Sequence, residues 1–144
     1  MAVAIRTLSA HDVAAAQVVV RRFHSAALSD GYLESVLLNT ANLLLVAEEA
    51  ADGVVGFLYA HWIDRLYSES TQLFIYEVEV DEAHRRSSVG TSLLAAALAH
   101  AQQRGARAFV FTNHSNRAAI RLHEKVGGIV KNGDDLLFVF ELAS

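Results

Sequence analysis

The chain has 144 residues, no cysteine and no proline, and its 12 Lys+Arg against 16 Asp+Glu give a net charge of −4. That length suits one domain with one core, residues 1–144, and 53% hydrophobic residues with 19% charged ones exclude a disordered chain. Zero cysteines exclude disulfides, thiolate metal sites and cysteine nucleophiles together, and the acidic balance argues against a nucleic-acid partner.

The start, Met1–Asp12, contains Arg6 and lacks the apolar core of a signal peptide. The longest apolar runs, such as Val54–Trp62, are too short to cross a bilayer, so a cytoplasmic protein with no membrane partner is expected. Val3–Leu8 reads as a short strand, and Ser9–Asp12 offers capping residues before a helix over Val13–Phe23. Asp30-Gly31 breaks the chain ahead of a short helix, Tyr32–Leu38. Asn42–Glu48 and Val54–Ile63 form a hairpin about the turn Ala51-Asp52-Gly53. Gln72–Val80 is a further strand, rich in aromatic and β-branched residues. From Thr91 to Arg104, Leu94, Leu98 and Ala101 recur at helical spacing, and Gly105 stops the helix. A strand over Ala106–Thr112, a helix over Asn116–Val126 and a final strand over Leu136–Leu142 complete an α/β order with a mixed sheet.

The chemistry concentrates between residues 74 and 128. At the strand-to-helix junction His84-Arg85-Arg86-Ser87-Ser88-Val89-Gly90-Thr91-Ser92, free backbone N–H groups, a helix dipole and two arginines can seat a phosphate. On its own the junction reads equally as a polar turn with solvated arginines, and the P-loop pattern is absent. Strict alternation along the preceding strand puts Leu73, Ile75, Glu77 and Glu79 on one face and Phe74, Tyr76, Val78 and Val80 on the other. The two carboxylates, about 7 Å apart along the strand, mark either a solvated sheet face or the lining of a site for a cation. The histidines show no H-E-x-x-H or comparable ligand spacing, so no metal is expected.

The run Val80–Leu94 resembles the first signature of the GNAT family of N-acetyltransferases, an R/Q-x-x-G-x-G/A loop. Arg85 and Gly90 match its ends, and Ser88 stands where the middle glycine is usual. Asn116–Gly127 is similar to the second signature, N-x-x-A-x-x-L-Y/H-x-x-x-G. The segment Ile75-Tyr76-Glu77-Val78-Glu79-Val80, with the hairpin before it, more loosely resembles the class I aminoglycoside 3-N-acetyltransferases.

The resemblance implies a mixed, mostly antiparallel sheet of about six or seven strands flanked by about four helices. It places acetyl-CoA in the cleft between the fourth and fifth strands, its pyrophosphate held by Arg85, Arg86, Ser87, Ser88, Val89, Gly90 and Thr91. It gives the N–H of Val78 or Val80 to the oxyanion and the pantetheine arm, makes Asn116 both an N-cap and a coenzyme contact, and allows a homodimer. Glu77 is then the first choice for general base, with Glu79 as second base or cation anchor. A bulge in their strand, which the family makes expected, would change which of them faces the cleft. His123 stands where the family usually has a tyrosine, and is either a surface histidine or a proton donor to the leaving thiolate. Ser88 either strains a left-handed backbone and crowds the phosphate, or donates its hydroxyl to it.

The expected activity is direct transfer of acetyl to a primary amine of a cationic small molecule, with an aminoglycoside as the specific expectation. A polyamine, an amino-acid derivative or a protein amine, or a non-catalytic acyl-CoA-binding module, are the rivals. The charge divides accordingly. Residues 83–131 hold eight Lys/Arg against one acid, and the rest holds four against fifteen. A basic half suits a polyanionic ligand and an acidic remainder a cationic one.

Overall fold

A computed structural model describes residues 2–142. In chain order these form β1 (Val3–Thr7), α1 (Val13–His24), α2 (Asp30–Leu38), β2 (Asn42–Glu49), β3 (Gly53–Asp64), β4 (Thr71–Val80), α3 (Val89–Gln103), β5 (Arg107–Val110) and α4 (Arg117–Lys125). The five strands make one sheet in sequence order. The pairs β1–β2, β2–β3 and β3–β4 are antiparallel and β4–β5 is parallel, joined by the α3 crossover. The α/β order and the four helices stand as expected.

The sheet separates two apolar layers. On one face Leu45, Leu58, Ala60, Leu73 and Ile75 pack against Val89, Leu93, Leu94 and Ala97 of α3. On the other, Val46, Val54 and Phe57 meet Ala16 and Val19 of α1 and Leu33 of α2. Each fully buried Leu or Val contributes on the order of 1.5–3 kcal/mol, so α3, with the most buried residues of any helix, is the main clamp. Gly105 ends it: its φ of +62° lets its own N–H reach Gln102 O and that of Ala106 reach Ala101 O. Trp62 lies in the core, with the Arg104 guanidinium 4.1 Å over its ring.

The expected strand Leu136–Leu142 is not formed, so among the described residues the sheet has five strands rather than six or seven. Propensity favours a strand there. A strand, however, exists only where another backbone completes its ladder, and among the described residues none pairs with this segment. No described helix is long and apolar enough to cross a membrane.

Candidate active site

The site begins with one extra residue. In the β3–β4 ladder Ala60 opposes Ile75 and Tyr59 opposes Glu77, leaving Tyr76 without a partner. Such a bulge breaks the two-residue alternation and re-aims everything beyond it. Before the bulge Leu73 and Ile75 face α3. Beyond it Val78 and Val80 face α3, while Glu77 and Glu79 sit across from Tyr59 and Phe57 on the α1 side. The strict alternation read from the sequence is therefore corrected: the carboxylates do not share a face with Leu73 and Ile75. They share one with Phe74 and Tyr76, whose rings meet edge to face at 5.8 Å.

The C-terminus of α1 delivers a third group to this face. His24 Nε2 lies 2.8 Å from Glu77 Oε2 and 3.8 Å from a Glu79 carboxylate oxygen. The helix ends there because Ser25 turns left-handed at φ 51°. Sequence reasoning missed His24; the only signal was its place as the last residue of an amphipathic helix. Burial first, and the Glu77 charge second, push the Glu79 carboxyl above the ordinary carboxylate range. Ligand atoms of all three side chains lie within 4.8 Å of one another, a geometry that can hold a cation or take a proton from one.

A gap opens beside these carboxylates. The β4–β5 pairing stops at Ile75 and Val110, so Glu77–Val80 have β3 on one side and no strand on the other. Asp81 N–H donates to Val55 O on β3. Alternation then turns the N–H groups of Val80 and Val78 away from β3 and into the gap. Two donors in a row, beside two carboxylates on the adjoining face, can bind a carbonyl oxygen while a neighbouring amine loses a proton.

The chain next crosses to the α3 N-terminus. Residues Arg85–Ser88 are exposed, and no side chain caps the helix. The first-turn N–H groups of Val89, Gly90 and Thr91 are thus left without intrahelical acceptors, the condition for anion binding. Arg85 Nε donates to Val80 O at 3.1 Å, tying the loop to the end of β4, and Ser87 Oγ donates to His84 O. The left-handed residue of the loop is Arg86, at φ 66°, and not Ser88, whose φ is −85°. Of the two readings of Ser88, a strained left-handed backbone is therefore not the one that holds. The turn is made two residues earlier, at a Cβ-bearing residue that costs ~1–2 kcal/mol relative to glycine.

A polar staple holds this loop. Arg22 of α1 donates to Val54 O at the start of β3 at 2.7 Å and to Asp52 O in the β2–β3 turn at 3.1 Å, and its other terminal nitrogen pairs with Asp81 at 2.5 Å. Buried His84 lies 3.0 Å from Asp52 and 3.4 Å from Asp81. Burial raises the Asp81 carboxyl, but the Arg22 charge and hydrogen bonds outweigh it, leaving it below the ordinary range. Glu49, Asp52 and His84 also bring donor atoms together; there Asp52 and His84 already engage each other.

Helix α4 closes the other flank, where Leu122 packs on Gly90: a Cβ at Gly90 would lie 3.2 Å from Leu122 and 3.6 Å from Val80. Asn116 caps α4, its side chain accepting from Ala119 N–H at 3.1 Å, which establishes the capping half of its expected double role. Burial lowers the pKa of His123 below the ordinary imidazole value, which favours the neutral ring. Among the described residues His24, and not His123, is the imidazole within 4 Å of the carboxylates. Arg117 and Arg121 line a shallow hollow of about 380 Å³ with His114 and Ile120, extending the basic surface predicted for this half.

The sequence and the fold both have known relatives. A sequence model described as Acetyltransferase (GNAT) family matches residues 13–128. The chain belongs to the GNAT acetyltransferase family. Mycothiol acetyltransferase from Streptosporangium roseum is 44% identical over 54 residues, 37% of this GNAT chain but only 16% of that protein. An aminoglycoside acetyltransferase, meta-AAC0020, from an uncultured soil metagenomic sample has the same fold at a TM-score of 0.89 and 19% identity, covering 98% of this chain and 97% of its own. It was crystallised in complex with trehalose and in complex with sisomicin. A second soil aminoglycoside acetyltransferase, HMB0005, superposes at 0.86 with 24% identity over 99% of this GNAT chain and 100% of its own.

Proposed function

We propose that this GNAT protein transfers acetyl from acetyl-CoA to a primary amine of a cationic small molecule, an aminoglycoside, by direct attack within a ternary complex. The observation that carries this reading is the bulge at Tyr76, which sets Glu77 and Glu79 beside His24 on one face of β4 next to the row of free N–H groups in the gap. The chain fits the cosubstrate: an uncapped α3 N-terminus flanked by Arg85 and Arg86 suits a pyrophosphate, and the unpaired edge of β4 suits an extended amide-bearing arm. Acetyl-CoA supplies an activated thioester carbonyl; the remaining roles belong to the protein.

An amine arrives protonated and must lose a proton before its nitrogen can attack. Glu77, oriented by His24, accepts that proton directly or through a water, and Glu79 helps hold the cation. As the carbonyl oxygen gains negative charge, the N–H of Val78 or Val80 stabilises it. Neutral His123 serves the leaving thiolate as a hydrogen-bond donor, a weaker role than that of an imidazolium. With no cysteine in the sequence, a cysteine acyl-enzyme is excluded.

The decisive experiment measures thiol release from acetyl-CoA with a panel of aminoglycosides, polyamines and peptides. Turnover is expected with an aminoglycoside. Turnover confined to another amine removes that acceptor and leaves N-acetyl transfer standing. No turnover with any amine, alongside intact acetyl-CoA binding, replaces the enzyme by a non-catalytic acyl-CoA-binding module.

A further inference from the structure

His84 is a buried titratable group that the proposed chemistry does not use. It closes the single turn Glu82–His84 that leads from β4 toward α3, and its side chain is only 8% exposed. Its Nε2 lies 3.0 Å from Asp52 Oδ2 in the β2–β3 turn. Glu49, at the end of β2, brings a carboxylate to the same place, and donor atoms of the three residues lie within 4.8 Å of one another. The other ring nitrogen, Nδ1, is buried 3.4 Å from Asp81 Oδ2 and makes no hydrogen bond. A buried nitrogen left unpaired is costly and calls for a reason.

The proton count supplies one. A neutral imidazole has a single N–H. Placed on Nε2, it faces Asp52, and the bare lone pair of Nδ1 is then turned toward the Asp81 carboxylate. A cation on Nε2 reverses this: the proton sits on Nδ1 and points at Asp81. That is the carboxylate–imidazole–metal chain by which metal-ligating histidines are held. The neighbours are fixed as such a chain needs. Arg22 grips Asp81, and the two oxygens of Glu49 accept from the N–H groups of Ala51 at 3.2 Å and Asp52 at 3.1 Å, each keeping a lone pair. Arg22 is engaged by Asp81 and two carbonyls, so Glu49 and Asp52 are left to balance a doubly charged ion.

We propose that Glu49, Asp52 and His84 bind a zinc ion, with water as the fourth ligand. One imidazole with two carboxylates suits zinc, whereas calcium and magnesium favour more numerous oxygen ligands. Ligands ~2.0–2.1 Å from zinc stand roughly 3.3 Å apart in a tetrahedron. His84 and Asp52 are already near that separation, and Glu49 makes the larger adjustment. The ion ties the β2–β3 turn to the loop entering α3. Its ligands are 3 and 32 positions apart in sequence, outside any local histidine motif. The group of His24, Glu77 and Glu79 lacks the deciding feature, because its imidazole is half-exposed and leaves no buried nitrogen unpaired. The inference does not depend on the proposed activity.

The test titrates the metal-stripped full chain with Zn²⁺ by calorimetry and follows urea melts with and without the ion. One equivalent is expected to bind at about micromolar affinity and to raise the urea midpoint. Asp52→Asn, at an exposed position whose folding the zinc-free melt checks, is expected to weaken that equivalent at least tenfold, and Glu49→Gln to do the same independently. Asp81→Asn, acting through the imidazole, is expected to weaken it roughly 10–100-fold. Glu77→Gln should leave it in place, and Ca²⁺ or Mg²⁺ should not displace it. Absence of zinc binding overturns the proposal and leaves His84 as an imidazolium bridging Asp52 and Asp81. Zinc retained by both Asp52→Asn and Glu49→Gln, lost in Glu77→Gln, or displaced by equal Ca²⁺ overturns it as well.

Discussion

Glu77→Gln removes a proton acceptor while keeping the shape of the side chain, and the structure sets how much activity should go with it. Glu77 is the carboxylate that His24 holds, at 2.8 Å, while Glu79 stands 3.8 Å from the same nitrogen and is rooted about 7 Å further along β4. A positioned general base contributes typically 10²–10⁴-fold, or roughly 3–5.5 kcal/mol of barrier. Glu79 reaches the reacting nitrogen less directly, so it provides a floor without restoring the rate. Glu77→Gln is therefore expected to cost roughly 100-fold or more in kcat with acetyl-CoA binding unchanged. Glu79→Gln is expected to act mainly on KM for the amine. Removing the Glu77 charge takes away the second cause of the raised Glu79 carboxyl and leaves burial, so the residual activity of Glu77→Gln should persist to lower pH than Glu79, with its neighbour charged, would allow in the parent. The assay is kcat and KM for an amine acceptor across pH 5–9, with acetyl-CoA affinity measured separately by calorimetry. Glu77→Gln within threefold of the parent, with Glu79→Gln the inactive one, would refute the assignment of the base to the His24-held carboxylate.

Gly56→Ala should destabilise the fold by about 1–3 kcal/mol in urea melts: the new Cβ meets Glu79 O at 3.0 Å and the Leu93 and Val89 methyl groups at 3.2 Å, and the carbonyl cannot move aside cheaply. Arg86→Gly removes a side chain from a backbone at φ 66°; relief of ~1–2 kcal/mol against ~0.5–1 kcal/mol of unfolded-chain entropy predicts a small gain in the melting midpoint with weaker acetyl-CoA binding. Asp81→Asn tests the staple through pH. A carboxyl held below its unfolded value contributes stability that is present above the ordinary carboxylate range and lost as pH falls through the folded value, so the variant's pH–stability curve should be flatter on the acid side.

The elements were legible because their signals are local: Gly105 marks the end of α3, the Leu and Ala spacing its inner face, and the turn Ala51–Gly53 the hairpin. The junction at residues 84–92 and the second motif at 116–127 carried the family. What was not legible depends on contacts distant in sequence. The bulge at Tyr76 exists only in the pairing of β4 with β3, so counting along β4 alone gave the wrong companions for Glu77 and Glu79. His24 joins the site because α1 lies across the sheet, 53 positions from Glu77 in sequence. The left-handed turn fell at Arg86 instead of Ser88, since the staple of Arg22, Asp81 and His84 fixes the loop's entry. Leu136–Leu142 has the composition of a strand, but composition does not supply the second backbone that makes one.

The inserted residue at Tyr76 separates two trades within one strand. Upstream of it, side-chain parity is set by what the interior must fill; downstream, the same parity is free to serve chemistry on the opposite face. Substitutions at Glu77 and Glu79 therefore leave the α3 layer untouched, and this face can change its chemistry without renegotiating the fold. The converse is a particular fragility: losing one residue at this point turns both carboxylates toward the α3 layer, so the face depends on the number of residues in β4 as well as on their identity.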